Sequence, residues 1–162
     1  TLKWSLNNNE INELKQLNFK EKLESNYIYM GKIPFYIEIY PKGLHSEHHV
    51  GLLVVCAAQG LDISEILLWY HINVDGLGIK FLSSNVYNVF PCGWGIPRCA
   101  VELTDILNIE HLKVDVTFQI WRLKDKNGNI VNDWNKYIYG DNAEHKYNDI
   151  ELKLNDNNNN NT

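Results

Sequence analysis

His45, Glu47, His48 and His49 crowd one short polar stretch. Imidazoles beside a carboxylate are the raw material of a zinc or nickel site. In an extended chain, however, His48 and His49 point to opposite sides, and no second cluster supplies further ligands. The stretch reads as a solvated loop, with no metal and no cofactor expected. Cys56, Cys92 and Cys99 raise thiol chemistry instead. A Cys–His nucleophile needs an exposed thiol, a base within reach and a third group to orient that base. Cys56 lies in the apolar run Val50–Ala58, where a thiol behaves as a small hydrophobe; Cys92, beside a glycine, is the better-exposed candidate. No GxSxG, HExxH, P-loop or GxGxxG pattern occurs, and the carboxylates are scattered. The chain is therefore not expected to be an enzyme. An odd number of cysteines without a CxxC pair argues against a disulfide framework and for a reducing compartment.

The aromatic residues are a better lead. Trp69, Tyr70, Tyr87, Phe90 and Trp94 fall on or beside the middle strands, and most aromatics in a β protein belong to its core. Trp94 differs, because Gly93 and Gly95 flank it. Glycines weaken a strand interior, so this tryptophan is expected at a turn or a strand end.

The elements that must position these residues read as strands. Phe35, Ile37 and Ile39 alternate with Tyr36, Glu38 and Tyr40, the period of two that marks a strand with one buried face. Pro41-Lys42-Gly43 ends it in a turn. Before it stand a short strand with Leu2, Trp4 and Leu6 on one face, an amphipathic turn or short helix over 10–17 that Asn9 can cap, and a second strand over 24–29. After it come the buried run from Val50, a β-rich stretch over 66–74, and another over 79–90 with a break expected at Ser83-Ser84-Asn85. A Gly-Trp-Gly loop follows, with a resumed strand over 100–103 and a helical turn from Thr104 to Asn108. In the last core strand Val114, Val116, Phe118 and Ile120 face one way and Asp115, Thr117 and Gln119 the other. Asn127-Gly128 is a hairpin turn that folds 130–139, with Trp134, back on the preceding strand. Short strands separated by turns, without strand–helix alternation, predict an all-β antiparallel sandwich with one or two short helical turns.

The chain has 162 residues, 44% hydrophobic and 22% charged, enough for one domain with a real core. A formal net charge of −5 and the lack of a basic stripe argue against nucleic-acid binding. No apolar run is long enough to span a membrane. Residues 157–161 are all asparagine and cannot bury surface. The expected division is a sandwich over 1–124, a hairpin extension over 125–154 packed on it, and a disordered Asn-rich tail over 155–162.

Two pieces, in this order and about fifty residues apart, carry a resemblance: Phe35-Tyr36-Ile37-Glu38-Ile39-Tyr40-Pro41-Lys42-Gly43 and Gly93-Trp94-Gly95-Ile96. With Trp4, Ser25 with Tyr27, the run from Val50 to Cys56 and the final strand, they resemble the MATH (meprin and TRAF homology) domain. Members of that family are eight-stranded antiparallel β-sandwiches, TRAF-like in fold, that bind short peptides. The likeness spans roughly 2–123. It implies a shallow groove in which an extended peptide adds as a strand beside the Trp-Gly segment. By position that groove would be lined by Val54, Trp69, His71, Tyr87, Val89, Trp94 and Ile96, with Gly93 and Gly95 admitting the peptide backbone. The family pattern has Phe where Ile96 stands, and its charged or polar residues before the tryptophan are replaced by Cys92 and Gly93. Pro97 removes one N–H from the docking strand.

The resemblance further implies an adaptor or substrate-recruitment module in ubiquitin-related or signalling proteins, cytoplasmic or nuclear, whose partners are short linear peptide motifs. A monomer is expected, since no heptad stretch is present. A carbohydrate-binding sandwich and a self-association module are the alternatives.

Overall fold

A computed structural model describes residues 1–45, 47, 49–99 and 103–133, with the side chains of 96–99 and 103–104 outside the description. Nine strands and two short helices make up the described chain. The strands are β1 (Leu2–Ser5), β2 (Leu23–Glu24), β3 (Ile28–Met30), β4 (Ile33–Tyr40), β5 (Val50–Cys56), β6 (Ile63–Asp75), β7 (Ile79–Tyr87), β8 (Cys92–Cys99) and β9 (Lys113–Asp125). The helices are α1 (Asn8–Gln16) and α2 (Leu103–Leu107). One sheet runs β1-β9-β6-β7, and the other β2-β4-β5-β8 with β3 also paired to β4. All pairings are antiparallel, so the expected sandwich architecture is present.

Alternation decides what lies between the sheets. Ile33, Phe35, Ile37 and Ile39 of β4 and Val50, Leu52, Val54 and Cys56 of β5 are buried in one core. Ile66, Leu68, Tyr70, Ile72 and Val74 of β6 meet them from the opposite sheet, with Val114, Val116 and Ile120 of β9 beside them. Phe35 stacks on Phe118 across the gap, ring centroids 5.2 Å apart. Removing these side chains from water supplies the main stabilisation, roughly 1.5–3 kcal/mol for each large apolar side chain fully buried.

Three local expectations are corrected. Asn7, not Asn9, caps α1: its side-chain oxygen accepts from the Asn9 and Glu10 backbone N–H groups at 2.9 and 3.0 Å, while Glu10 Oε2 accepts from the Asn7 N–H at 2.8 Å. That reciprocal box satisfies donors at both ends of the first turn, and Ile11 and Leu14 bury the helix's apolar face. The strand expected over 24–29 is split into β2 and β3, which makes nine strands where eight were expected. Ser25 causes the interruption, because its Oγ accepts from the Ile37 N–H at 2.9 Å while its own N–H donates to the Ile37 carbonyl at 2.9 Å. The break expected at 83–85 does not occur. Ser83, Ser84 and Asn85 pair in register with Tyr70, Trp69 and Leu68, and Asn85 Nδ2 donates to the Tyr70 hydroxyl at 2.7 Å.

Gly43 takes φ of +91°, the left-handed turn foreseen after β4. The turn after β9 forms as well: the Gly128 N–H donates to the Asp125 carbonyl at 2.9 Å, and Lys124 bridges to Ile130. Of the strand expected over 100–103, Leu103 instead begins α2, and 100–102 lie outside the described residues, as do the rest of the expected hairpin with Trp134, the Asn-rich tail and His48.

Candidate functional site

The two sheets end side by side at one rim. Among the described residues β7 is the last strand of its sheet and β8 the last of the other, so each has an in-sheet neighbour on one side only. A strand edge presents unpaired N–H and C=O groups to any segment that can lie alongside.

Gly93-Trp94-Gly95 lies inside β8 rather than in a loop, which corrects the expectation from glycine's poor strand propensity. The reason is the close approach of β5. A Cβ on Gly95 would stand 2.2 Å from the Leu52 carbonyl oxygen and 3.0 Å from the Leu53 Cα, both backbone atoms. On Gly93 it would meet Val55 Cγ2 at 3.1 Å and Leu53 Cδ1 at 3.3 Å. The missing side chains therefore make room for β5.

Trp94 is opposite Val54 in the ladder. Its indole reaches across the rim, and Nε1–H donates to the Val86 carbonyl of β7 at 3.0 Å. Trp94 as a residue stays 45% exposed, an unusual state for a tryptophan held this way. Tyr87 makes the reverse tie from β7, its hydroxyl donating to the Val54 carbonyl at 3.0 Å. Below the rim, Tyr70, Ser83 and Asn85 form a half-buried polar group, with Asn85 Nδ2 also 3.3 Å from Ser83 Oγ.

The expected lining residues do not gather on one surface. Val54 and Tyr87 are wholly buried and support the rim from within. Trp69 and His71 alternate with the buried residues of β6, so they lie on the outer face of that sheet, paired with Ser84 and Leu82 of β7. Val89 is exposed in the connection to β8, which passes through a cis Phe90–Pro91 peptide. Gly93, Trp94 and Gly95 are on the β8 edge, and Ile96 pairs with Leu52, its side chain not described. The rim itself is marked by Trp94 and the Val86 carbonyl it meets, with Ser83 and Asn85 beneath it on the inward face of β7. Ser83, Asn85 and Val86 were missed because a Ser-Ser-Asn run signals a turn; only the strand alternation through Phe81 and Tyr87 would have placed them.

Burial pushes the Tyr70 and Tyr87 phenols up, so both stay neutral donors or acceptors at ordinary pH. Burial likewise raises the Cys92 thiol, the Trp94 side chain opposing this in part. An activated nucleophilic cysteine is shifted the other way. Among the described residues, which do not include His48, no group of three or more His, Cys, Asp or Glu side chains could hold an ion.

Other cavities among the described residues lie elsewhere. One, about 530 Å³, opens where Gly76 and Leu77 meet Asp105, Glu110 and His111. Another, about 250 Å³, sits between Trp4 and the 25–28 segment. No described helix is long and apolar enough to cross a membrane. The chain matches no protein-family model and no curated protein.

Proposed function

We propose that this chain is a peptide-binding module that takes up an extended segment of a partner protein as an added strand along β8. The observation that carries this reading is a β8 edge without a second strand partner among the described residues, beside the half-exposed Trp94 fixed across the rim. Main-chain hydrogen bonds to β8 would supply general affinity, and the exposed Trp94 ring would select side chains. The resemblance of its Phe35–Gly43 and Gly93–Ile96 stretches to MATH domains points the same way. In that setting the module acts as an adaptor that recruits substrates for ubiquitin-related or signalling machinery.

A short added strand with two or three side-chain contacts corresponds to a Kd of about 1–100 μM. Stronger capture then depends on several copies acting together.

The carbohydrate reading has one supporting feature, the exposed Tyr27 and Tyr29 near Tyr36. Tyr27 meets Tyr36 at an interplanar angle of 71°, however, so the rings do not form the flat platform a sugar face stacks on.

The test is selection of binders from a library of unstructured peptides, followed by amide hydrogen exchange of the complex. Added protection of 92–96 is expected. Protection confined to other strands, or no selected peptide at all, would reject the reading.

A further inference from the structure

We infer that Cys56 and Cys92 are a dithiol pair able to close into a cross-strand disulfide, making this end of β8 a redox modification site. The two residues are directly opposed in the β5–β8 ladder. Directly opposed residues of an antiparallel pair have Cα atoms roughly 4.5–5.5 Å apart, inside the range of about 4.4–6.8 Å that a disulfide spans. Both side chains point to the same face, because Cys56 follows Val50, Leu52 and Val54 into the core, and Cys92 packs against that core from the next strand. Both are free thiols. Cys99 is opposite Val50 at the other end of β8, so the register does not set it against a cysteine.

The two thiols differ in access, and this orders the chemistry. Cys56 is completely buried, whereas Cys92 is only partly so. A low-molecular-weight disulfide such as oxidised glutathione therefore meets Cys92 first. The Cys92 thiol loses its proton and its sulfur attacks the reagent. The reagent's S–S bond breaks, one glutathione thiol leaves and a mixed disulfide remains. Cys56 then loses its proton and attacks the Cys92 sulfur, expelling the second glutathione thiol. Two S–H bonds and one S–S bond are exchanged for one protein S–S bond and two reagent S–H bonds. Two electrons pass from the cysteine pair to the reagent.

The bond would fasten the first residue of β8 to β5, two residues from Trp94. Burial pushes the Cys56 thiol up to about 12 and raises Cys92 as well. Closure is accordingly slow at neutral pH and accelerates about tenfold per pH unit between 7 and 8, while the attacking thiol remains mostly protonated. The site does not depend on the peptide-binding reading.

The experiment uses the whole chain, folded and without denaturant, incubated with oxidised glutathione. Peptide mapping without reduction is expected to give a Cys56–Cys92 cross-link, with the intact chain lighter by two hydrogens and the bond opened by dithiothreitol. A Cys99→Ser chain is expected to close at the same rate. Three results would overturn the inference: Cys92 capped by glutathione with Cys56 still free, a bridge that uses Cys99, or a disulfide between two chains. A circular-dichroism spectrum that stays native through the reaction ensures that closure belongs to the folded protein.

Discussion

The Trp94 indole N–H donates to the Val86 carbonyl at 3.0 Å, and this bond joins β8 to β7, the last strands of the two sheets among the described residues. Trp94→Phe keeps an aromatic ring and removes the donor. Its expected cost is about 0.5–1.5 kcal/mol in urea unfolding. Trp94→Ala also removes the exposed face and is expected to weaken peptide binding at least tenfold, read by isothermal titration on folded protein. Equal affinity in the wild type and Trp94→Ala would separate this tryptophan from recognition.

Gly95 and Gly93 separate backbone fit from side-chain fit. A methyl on Gly95 would run into the Leu52 carbonyl, which belongs to the β4–β5–β8 ladder and has little room to retreat. Gly95→Ala is therefore expected to cost about 2–3 kcal/mol, a typical overpacking penalty. Gly93→Ala meets only the Val55 and Leu53 side chains and is expected to cost under about 1 kcal/mol. Chemical denaturation of both variants checks the order.

Alkali should unfold the domain through its tyrosines. Burial, with help from the Glu38 carboxylate, raises Tyr36 to about 12 and lifts Tyr40 further; burial raises Tyr70 and Tyr87. In the unfolded chain these phenols ionise near pH 10. Their contribution is thus fully present below about pH 10 and declines above it, as the unfolded state loses protons that the folded state keeps. Absorbance titration should show these tyrosines ionising together with unfolding. Tyr87→Phe removes the bond to the Val54 carbonyl and should cost about 1–2 kcal/mol at neutral pH.

On the acid side, Glu65 is the group to follow. Burial pushes its carboxyl up, but hydrogen bonds and charge from Lys124 and Arg122 outweigh this and hold it below the ordinary range. The Arg122 Nη2 and Nε atoms lie 2.8 and 3.1 Å from Glu65 Oε1, and Lys124 Nζ is 3.1 Å from Oε2. A depressed carboxyl contributes stability above its unfolded value, near 4.3, and loses it as pH falls through the folded value. Glu65→Gln should therefore lower the thermal midpoint at pH 7, and by progressively less as pH falls below about 4.3. An equal decrease above and below that pH would assign the effect to packing.

Alternating runs made the strands from Phe35 and from Val114 legible, since a period of two needs no partner to be recognised. The capped helix after β1 was half legible: its apolar spacing showed, but with three asparagines in a row the cap is chosen by where Glu10 reaches back. Ser83-Ser84-Asn85 misled because its turn propensity is local, whereas its strand state comes from pairing with β6. Gly93-Trp94-Gly95 misled in the same way: a glycine that looks like part of a loop, Gly95, is there because the β5 backbone comes too close for a side chain.

Residue types and their alternation, read along the chain alone, determined the all-β class, the buried faces and the prominence of Trp94. Which strands became edges, which sheet each expected groove residue joined, and the opposition of Cys56 to Cys92 were decided only when the sheets formed. Alternation fixes which side a residue takes within its own strand, but register and strand order depend on contacts between segments far apart in sequence, and no local pattern encodes them.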